Sequence, residues 1–151
     1  MNVSRRKVLT SSVSAALASL FVAQSSRVWA TPEDAKALID TFTGGADSGS
    51  GALTLTAPEI AENGNTVPIA VMVESPMTAD SYVESIMIVA EDNPRPEVAT
   101  FHFTPASGIA KASTRMRLAK TQNVIAIAKM NDGSVFSDSK NVKVTIGGCG
   151  G

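Results

Sequence analysis

The sequence predicts an all-β fold: an antiparallel sandwich that follows one short helix and precedes a flexible glycine-rich arm. The 151 residues suit a single domain. After Gly45, roughly seven or eight short strand patterns recur at the spacing of about 8–12 residues that is typical of β-sandwiches. The same stretch has no helical crossover pattern, so a parallel α/β sheet is not expected. An immunoglobulin-like sandwich is therefore the predicted architecture.

One amphipathic helix is predicted directly before the strands. Thr31 is a suitable N-cap, Pro32 takes the first helical position and Asp34 follows the cap by three residues. Apolar side chains then repeat at helical spacing along one face, at Ala35, Leu38, Ile39 and Phe42. The pair Gly44-Gly45 ends the helix. We expect this helix to dock on one end of the sheet rather than to hold a cofactor.

Turn residues separate the strand patterns. Residues 47–51 indicate a flexible link, residues 62–65 a turn, and Asp132-Gly133 a hairpin. In chain order, the predicted strands cover residues 53–56, 67–73, 82–90, 98–104, 112–118, 124–130, 135–136 and 142–146. The predicted sandwich domain therefore spans residues 31–146.

Residues 1–30 have the three parts of a secretory signal peptide. A basic start leads into an apolar segment at 13–23, and small residues precede a cleavage site before Thr31. The apolar segment is shorter than the about 20 residues of a transmembrane helix. The pair Arg5-Arg6 favours a twin-arginine signal, and a general secretory signal that happens to carry two arginines is the alternative. We therefore expect export to the periplasm.

Composition excludes several classes of protein. Removing the first 30 of 151 residues also removes four of the 13 basic residues and none of the 14 acidic ones, which leaves a net charge of −5. A chain with this charge has no basic footprint for nucleic acid. One Cys cannot close an internal disulfide, and one Cys with one His falls short of the ligands that a structural zinc site needs. No cofactor or metal is therefore expected.

The most informative feature is the arm predicted after the last strand. It consists of Gly147, Gly148, Cys149, Gly150 and Gly151. Glycines restrain the backbone little, so we expect a mobile arm that reaches roughly 16–18 Å when extended. The thiol of Cys149 is a candidate site for covalent attachment, because a thiol can hold a group as a thioether, disulfide or persulfide. The nearest basic residue in the sequence is Lys143, so partners are expected to activate the thiol.

The export signal, the sandwich pattern and the glycine-flanked cysteine together resemble the SoxY family, sulfur carriers of the thiosulfate-oxidising (Sox) system. The body is similar to that family at residues 61–64, 67–68, 75–77 and 93–96. The resemblance implies that Cys149 holds thiosulfate-derived intermediates and that the protein is a carrier rather than an enzyme. It also implies a heterodimer with a SoxZ-like immunoglobulin-like subunit.

The same resemblance implies three enzymes that act on the carrier thiol. A SoxXA-type cytochrome joins thiosulfate to it oxidatively, and a SoxB-type hydrolase then releases sulfate. Where present, a SoxCD-type sulfane dehydrogenase oxidises the remaining sulfane sulfur. After removal of the signal peptide, neither a membrane nor a nucleic acid is an expected partner.

Two other functions are compared with the sulfur-carrier hypothesis. Ubiquitin-like sulfur carriers also end in Gly-Gly, but they are cytosolic β-grasp domains with a central helix, so the export signal and the strand-only body argue against them. The alternative that we retain is an exported structural or interaction sandwich whose Cys149 forms an intermolecular disulfide.

Some side chains are assigned to the body of the domain. His102 is predicted on the surface of a sheet. Arg115 and Arg117 share one face of a strand and could bind an anion or a partner's acidic groups, although a solvated face is the favoured interpretation. Core or interface packing is expected for Met72, Met77, Met87, Met116 and Met130.

Overall fold

The computed structural model describes residues 31–148, so the predicted signal peptide with Arg5 and Arg6, and the residues Cys149, Gly150 and Gly151, lie outside the described range. The helix α1 is Pro32–Thr43, and a short 3₁₀ turn lies at Pro105–Ser107. The strands in chain order are β1 Ser48–Gly49, β2 Leu53–Thr56, β3 Ile60–Asn63, β4 Val67–Val73, β5 Val83–Ala90, β6 Glu97–His102, β7 Ala110–Met116, β8 Gln122–Met130 and β9 Val135–Ile146.

The strands form two sheets that enclose a common core. The larger sheet has the order β1-β9-β8-β5-β6, with β3 also paired to β9, and the smaller has the order β2-β4-β7. The pairs β8–β9, β5–β8, β5–β6, β2–β4 and β4–β7 are all antiparallel. The predicted all-β sandwich is thereby confirmed.

Two short strands are absent from the sequence prediction, and both pair in parallel with β9. Strand β1 lies inside the predicted flexible link, in the register Gly49↔Phe136. Strand β3 includes the start of the predicted turn at 62–65, in the register Ala61↔Val144. Strand β1 has 2 residues, too few for an alternating pattern, and strand β3 has the sequence IAEN with only Ala61 buried, so its 4 residues do not alternate.

The core lies between the sheets. Along β4 the side chains of Val67, Ile69, Val71 and Val73 are buried, and the intervening ones are exposed or half-buried. They belong to the same cluster as Ile86 and Val124 of the larger sheet and Leu118, which follows β7. Full burial of one such side chain stabilises the fold by roughly 1.5–3 kcal/mol. Leu118 therefore fixes the end of β7 firmly to the core.

Four of the five methionines assigned to packing are buried. They are Met77, Met87, Met116 and Met130. Met72 differs, since 39% of its surface is exposed on the outer face of the smaller sheet.

The helix packs on the outer face of the larger sheet rather than on one end. Ala35 joins a second cluster with Met87, Val89 and Ile127. Strand β5 is consequently covered on both faces, which explains its nearly continuous burial. The predicted caps are confirmed: the Asp34 carboxylate accepts a 2.8 Å hydrogen bond from the Thr31 amide, and the C-cap Gly44 has φ 68°.

Strand β9 carries the chain towards the cysteine. It is one strand of 12 residues where the sequence predicts two shorter ones, because residues 137–141 hold no apolar side chain. Those residues nevertheless pair with β8 throughout. The Asp138 carboxylate also accepts a 2.8 Å hydrogen bond from the Leu55 amide of the other sheet. Within residues 31–148, no helix is long and apolar enough to cross a membrane.

Candidate functional site

The segment that leads to the only cysteine is held by backbone hydrogen bonds. The Gly148 amide donates to the Leu118 carbonyl over 2.9 Å, and the Gly64 amide donates to the Ile146 carbonyl over 2.7 Å. The Leu118 amide in turn donates to the Gly64 carbonyl over 2.8 Å. These bonds join the turn after β3, the end of β7 and the end of β9. We call the contact region that Gly64, Leu118 and Ala119 form with Gly147 and Gly148 the arm-base cleft.

Glycine is required in the arm-base cleft because the backbones there are in contact. A Cβ on Gly148 would lie 2.8 Å from the Gly64 carbonyl oxygen, and one on Gly147 would come under 3.0 Å from the Ala119 carbonyl oxygen. A Cβ on Gly64 would come equally close to the Leu118 carbonyl oxygen. Real Cβ atoms essentially never approach other atoms so closely. The three glycines therefore provide space for a close approach of three chain segments.

The structure differs in one respect from the expected five-residue arm that begins at Gly147. Gly148 is buried and its amide is bonded, so the body of the domain holds the chain through this residue. The mobility of Cys149, Gly150 and Gly151 stays a prediction, because these residues lie outside the described range. Covalent geometry places the Cα atom of Cys149 about 3.8 Å from that of Gly148. The cysteine is thus attached directly to a clamped residue.

A buried amide network shapes one wall of the arm-base cleft. The Asn93 side-chain amide donates to the Arg117 carbonyl over 2.7 Å, and its oxygen accepts from the Ala119 amide over 3.1 Å. The same oxygen accepts a 2.9 Å hydrogen bond from the Gln122 side chain. Asn93 and Gln122 are each only 3% exposed. Because both groups of the Asn93 side chain are paired, the network fixes the loop that contains Leu118 and Ala119.

Sequence reasoning misses Gly64, Asn93 and Gln122 as parts of this site. The first two read as ordinary turn residues, and the third reads as a polar residue beside a strand. No spacing in the sequence connects positions 64, 93 and 118. Only the pairing of β3 with β9 and the packing of β7 against the core bring them together.

The single histidine lies away from the arm-base cleft. His102 is exposed and pairs with Ser85, whose other neighbour is Lys129 near the end of β8. The cleft lies at the opposite end of β8, where the Gln122 side chain contacts the Asn93 network. The predicted surface position of His102 is confirmed. Among residues 31–148, no group of three or more His, Cys, Asp or Glu side chains is arranged to hold a metal ion.

The two arginines predicted on one strand face are exposed as expected. Arg115 and Arg117 point outward on either side of the buried Met116. Arg117 directly precedes Leu118 and so lies next to the arm-base cleft.

The fold and the cleft define a β-sandwich that clamps its backbone directly before the single thiol, as suits a small carrier domain. The chain belongs to the SoxY family, since the family model described as Sulfur oxidation protein SoxY matches residues 39–149. This confirms the resemblance that the glycine-flanked cysteine and the body motifs predict.

Comparison with solved structures agrees with this assignment. The sulfur carrier protein SoxY from Chlorobium limicola f thiosulfatophilum is 33% identical, with a TM-score of 0.62 over 74% of this chain and 96% of that chain. A superoxide reductase (neelaredoxin) from Ignicoccus hospitalis is 20% identical, with a TM-score of 0.56 over 77% of this chain and 94% of that chain. The second likeness shows the fold alone. No match was found among curated proteins.

Proposed function

We propose that this protein carries sulfur groups on the thiol of Cys149 during thiosulfate oxidation in the periplasm. The observation that carries the proposal is the family match, which extends to residue 149 and so includes the only thiol. The arm-base cleft supports it, because a clamp directly before residue 149 gives partner enzymes a defined point of attachment. The protein itself then acts as a covalent carrier, and the enzymes belong to its partners.

The loading step forms a disulfide-type bond between the carrier and thiosulfate. The Cys149 thiol loses its proton and joins the sulfane sulfur of thiosulfate, which gives a protein-bound S–S–SO₃⁻ group. This oxidation releases two electrons, and a SoxXA-type cytochrome accepts them. No electron acceptor is needed within the carrier chain.

The unloading steps regenerate the thiol. A SoxB-type hydrolase adds water to the terminal sulfone group, which leaves as sulfate together with a proton, and a persulfide remains on Cys149. Where a SoxCD-type dehydrogenase is present, the persulfide sulfur takes its oxygen atoms from three water molecules and becomes a bound S–SO₃⁻ group, while seven protons are released and the dehydrogenase accepts six electrons. A further hydrolysis then releases sulfate and a proton and restores the Cys149 thiol. Each enzyme must reach the same residue, so a protruding segment between glycines suits the task.

Assembly and export complete the proposal. We expect a heterodimer with a SoxZ-like subunit and export through the twin-arginine route. The N-terminus of the wild-type periplasmic protein should be Thr31. Replacing Arg5 and Arg6 by lysine should block export. Efficient export of the lysine variant would instead indicate the general secretory route.

Intact-mass spectrometry after incubation with thiosulfate and the SoxXA-type cytochrome tests the function. We expect one thiosulfate adduct on wild-type protein and none on Cys149→Ser, with equal unfolding midpoints for the two proteins. An adduct on another residue, or none on wild type, would contradict the proposal. A mass equal to two chains under non-reducing conditions, without an adduct, would favour the structural sandwich linked by an intermolecular disulfide.

A further inference from the structure

All three arginines of residues 31–148 lie around one cavity. Arg95, Arg115 and Arg117 line a space of about 270 Å³. Arg95 comes from the turn before β6, and the other two come from the end of β7 and the residue after it. Strands β6 and β7 are the free edges of the larger and the smaller sheet. The arginines therefore gather at one open side of the sandwich, which the sequence spacing of residue 95 does not suggest.

The arginine cluster is not neutralised by the described part of the chain. The ion pairs within residues 31–148 are Lys36–Asp40 and Lys120–Asp92, and neither includes an arginine. Glu97 is the one acidic residue among those lining the cavity, and it accepts a 3.2 Å hydrogen bond from Thr100. Three cations and one anion thus form a local positive patch on a body whose net charge is negative.

The cluster adjoins the arm-base cleft. Arg117 is followed directly by Leu118, whose carbonyl accepts the hydrogen bond from the Gly148 amide. The Asn93 side chain holds the Arg117 carbonyl, and Arg95 follows two residues later in the same turn. A protein that contacts the chain at Gly148 would therefore lie beside this surface. A typical specific interface buries about 800 Å² on each partner, which is enough to cover both the cleft and the cluster.

We infer that Arg95, Arg115 and Arg117 form a docking surface for an acidic surface of the enzyme that loads Cys149. This inference rests on the proposed function. Guanidinium groups bind carboxylates in a bidentate manner, and complementary charges accelerate the encounter of two proteins. All three side chains are exposed, so a small anion bound there would remain in contact with water. A protein surface would instead exclude water from the ion pairs that it forms with the arginines, and this strengthens those pairs.

The test compares two variants of the full chain that lose the same charge. One replaces the three arginines by glutamine (R95Q, R115Q, R117Q), and the control replaces three exposed lysines (K36Q, K111Q, K140Q). The measurement is the kcat/KM of the SoxXA-type cytochrome for the carrier protein during thiosulfate loading. It is made at ionic strengths from about 0.02 to 0.5 M. We expect the arginine variant to lose at least about tenfold at low ionic strength and to become nearly independent of salt. The lysine control should stay within about twofold of wild type.

Several results would overturn the docking surface. They are equal rates for the two variants, a wild-type rate that does not depend on salt, and slower alkylation of Cys149 by iodoacetamide in the arginine variant alone. Inhibition of wild type, but not of the arginine variant, by about 5 mM sulfate would assign the cluster to a small anion instead. Loading of wild-type protein is measured first and tests the proposed function alone. Equal loading of all three proteins would therefore remove the docking surface and leave the function standing.

Discussion

Glycine serves opposite purposes in two turns of this chain. At Gly133, in the hairpin between β8 and β9, φ is 84° and a Cβ would meet nothing within 4 Å. At Gly64 and Gly148 a Cβ would collide with backbone atoms of a neighbouring segment. The hairpin glycine supplies a backbone conformation, whereas the cleft glycines supply space. Glycine content near the thiol therefore indicates a tight junction at least as much as a mobile segment.

The largest effect is expected for Gly64→Ala. The new Cβ would meet the Leu118 carbonyl oxygen and the Gly148 amide nitrogen, and both belong to backbone that the core and β9 hold in place. We expect the free energy of unfolding to fall by about 3 kcal/mol, as for overpacking of a rigid site. Urea denaturation measures this loss.

Hydrogen exchange gives a second measurement of the same contact. The Gly148 amide should exchange faster in Gly64→Ala, and Gly147→Ala should have a similar local effect because its Cβ would meet the Ala119 carbonyl. Unchanged stability and unchanged exchange in both variants would show that the cleft accommodates a methyl group.

The next largest effect is expected for Asn93→Ala. The substitution leaves the Arg117 carbonyl, the Ala119 amide and the Gln122 amide without their buried partner. We expect a loss of about 2–3 kcal/mol. The matched control is Asn123→Ala, which removes two exposed hydrogen bonds, one donated to Glu91 and one accepted from Asn141, and should cost under about 0.5 kcal/mol. Equal losses in the two variants would show that the buried network does not support the cleft.

The sequence predicts the sandwich well and the site only in part. The helix caps at Thr31 and Gly44 and the alternation in β4 are local signals, and the structure confirms them. The arm-base cleft depends on parallel pairing of β3 with β9, which joins positions more than eighty residues apart. Local patterns hold no information on such a pairing. The isolation of Cys149 in the sequence predicts it as the attachment site, whereas the roles of Gly64 and Asn93 emerge only from the fold.

A smaller effect is expected at the hairpin. Gly133→Ala forces a side chain into the left-handed region and should cost about 1 kcal/mol, although space is available. Gly133→Asn should cost less, because asparagine tolerates this conformation. The same pair of substitutions at Gly147 should give the opposite order, since the larger side chain makes the collision with Ala119 worse. Urea denaturation of the four variants measures both orders, and the same order at both sites would contradict the distinction between conformation and space.

The smallest expected effect is a loss of stability in acid, which should differ between the hairpin at Gly133 and the arm-base cleft. The pKa of Asp132 is lowered from 3.8, chiefly by a hydrogen bond from the Ser134 hydroxyl and further by one from the Ser134 amide. A lowered folded-state pKa stabilises the hairpin above the unfolded pKa, and this contribution is lost as the pH falls through the folded value. Ser134→Ala should therefore raise the pKa of Asp132 towards 3.8, as NMR titration would show. It should also reduce stability at neutral pH while having little effect at about pH 2.

The arm-base cleft is made by backbone groups of Gly64, Leu118 and Ala119, which do not titrate. Acid should thus speed the opening of the hairpin more than that of the cleft. The protection factors of the Ser134 and Gly148 amides, measured from neutral pH to about pH 2, test this difference. A parallel fall of both protection factors would mean that the two regions open as one unit, and that the clamp before the thiol has no stability of its own.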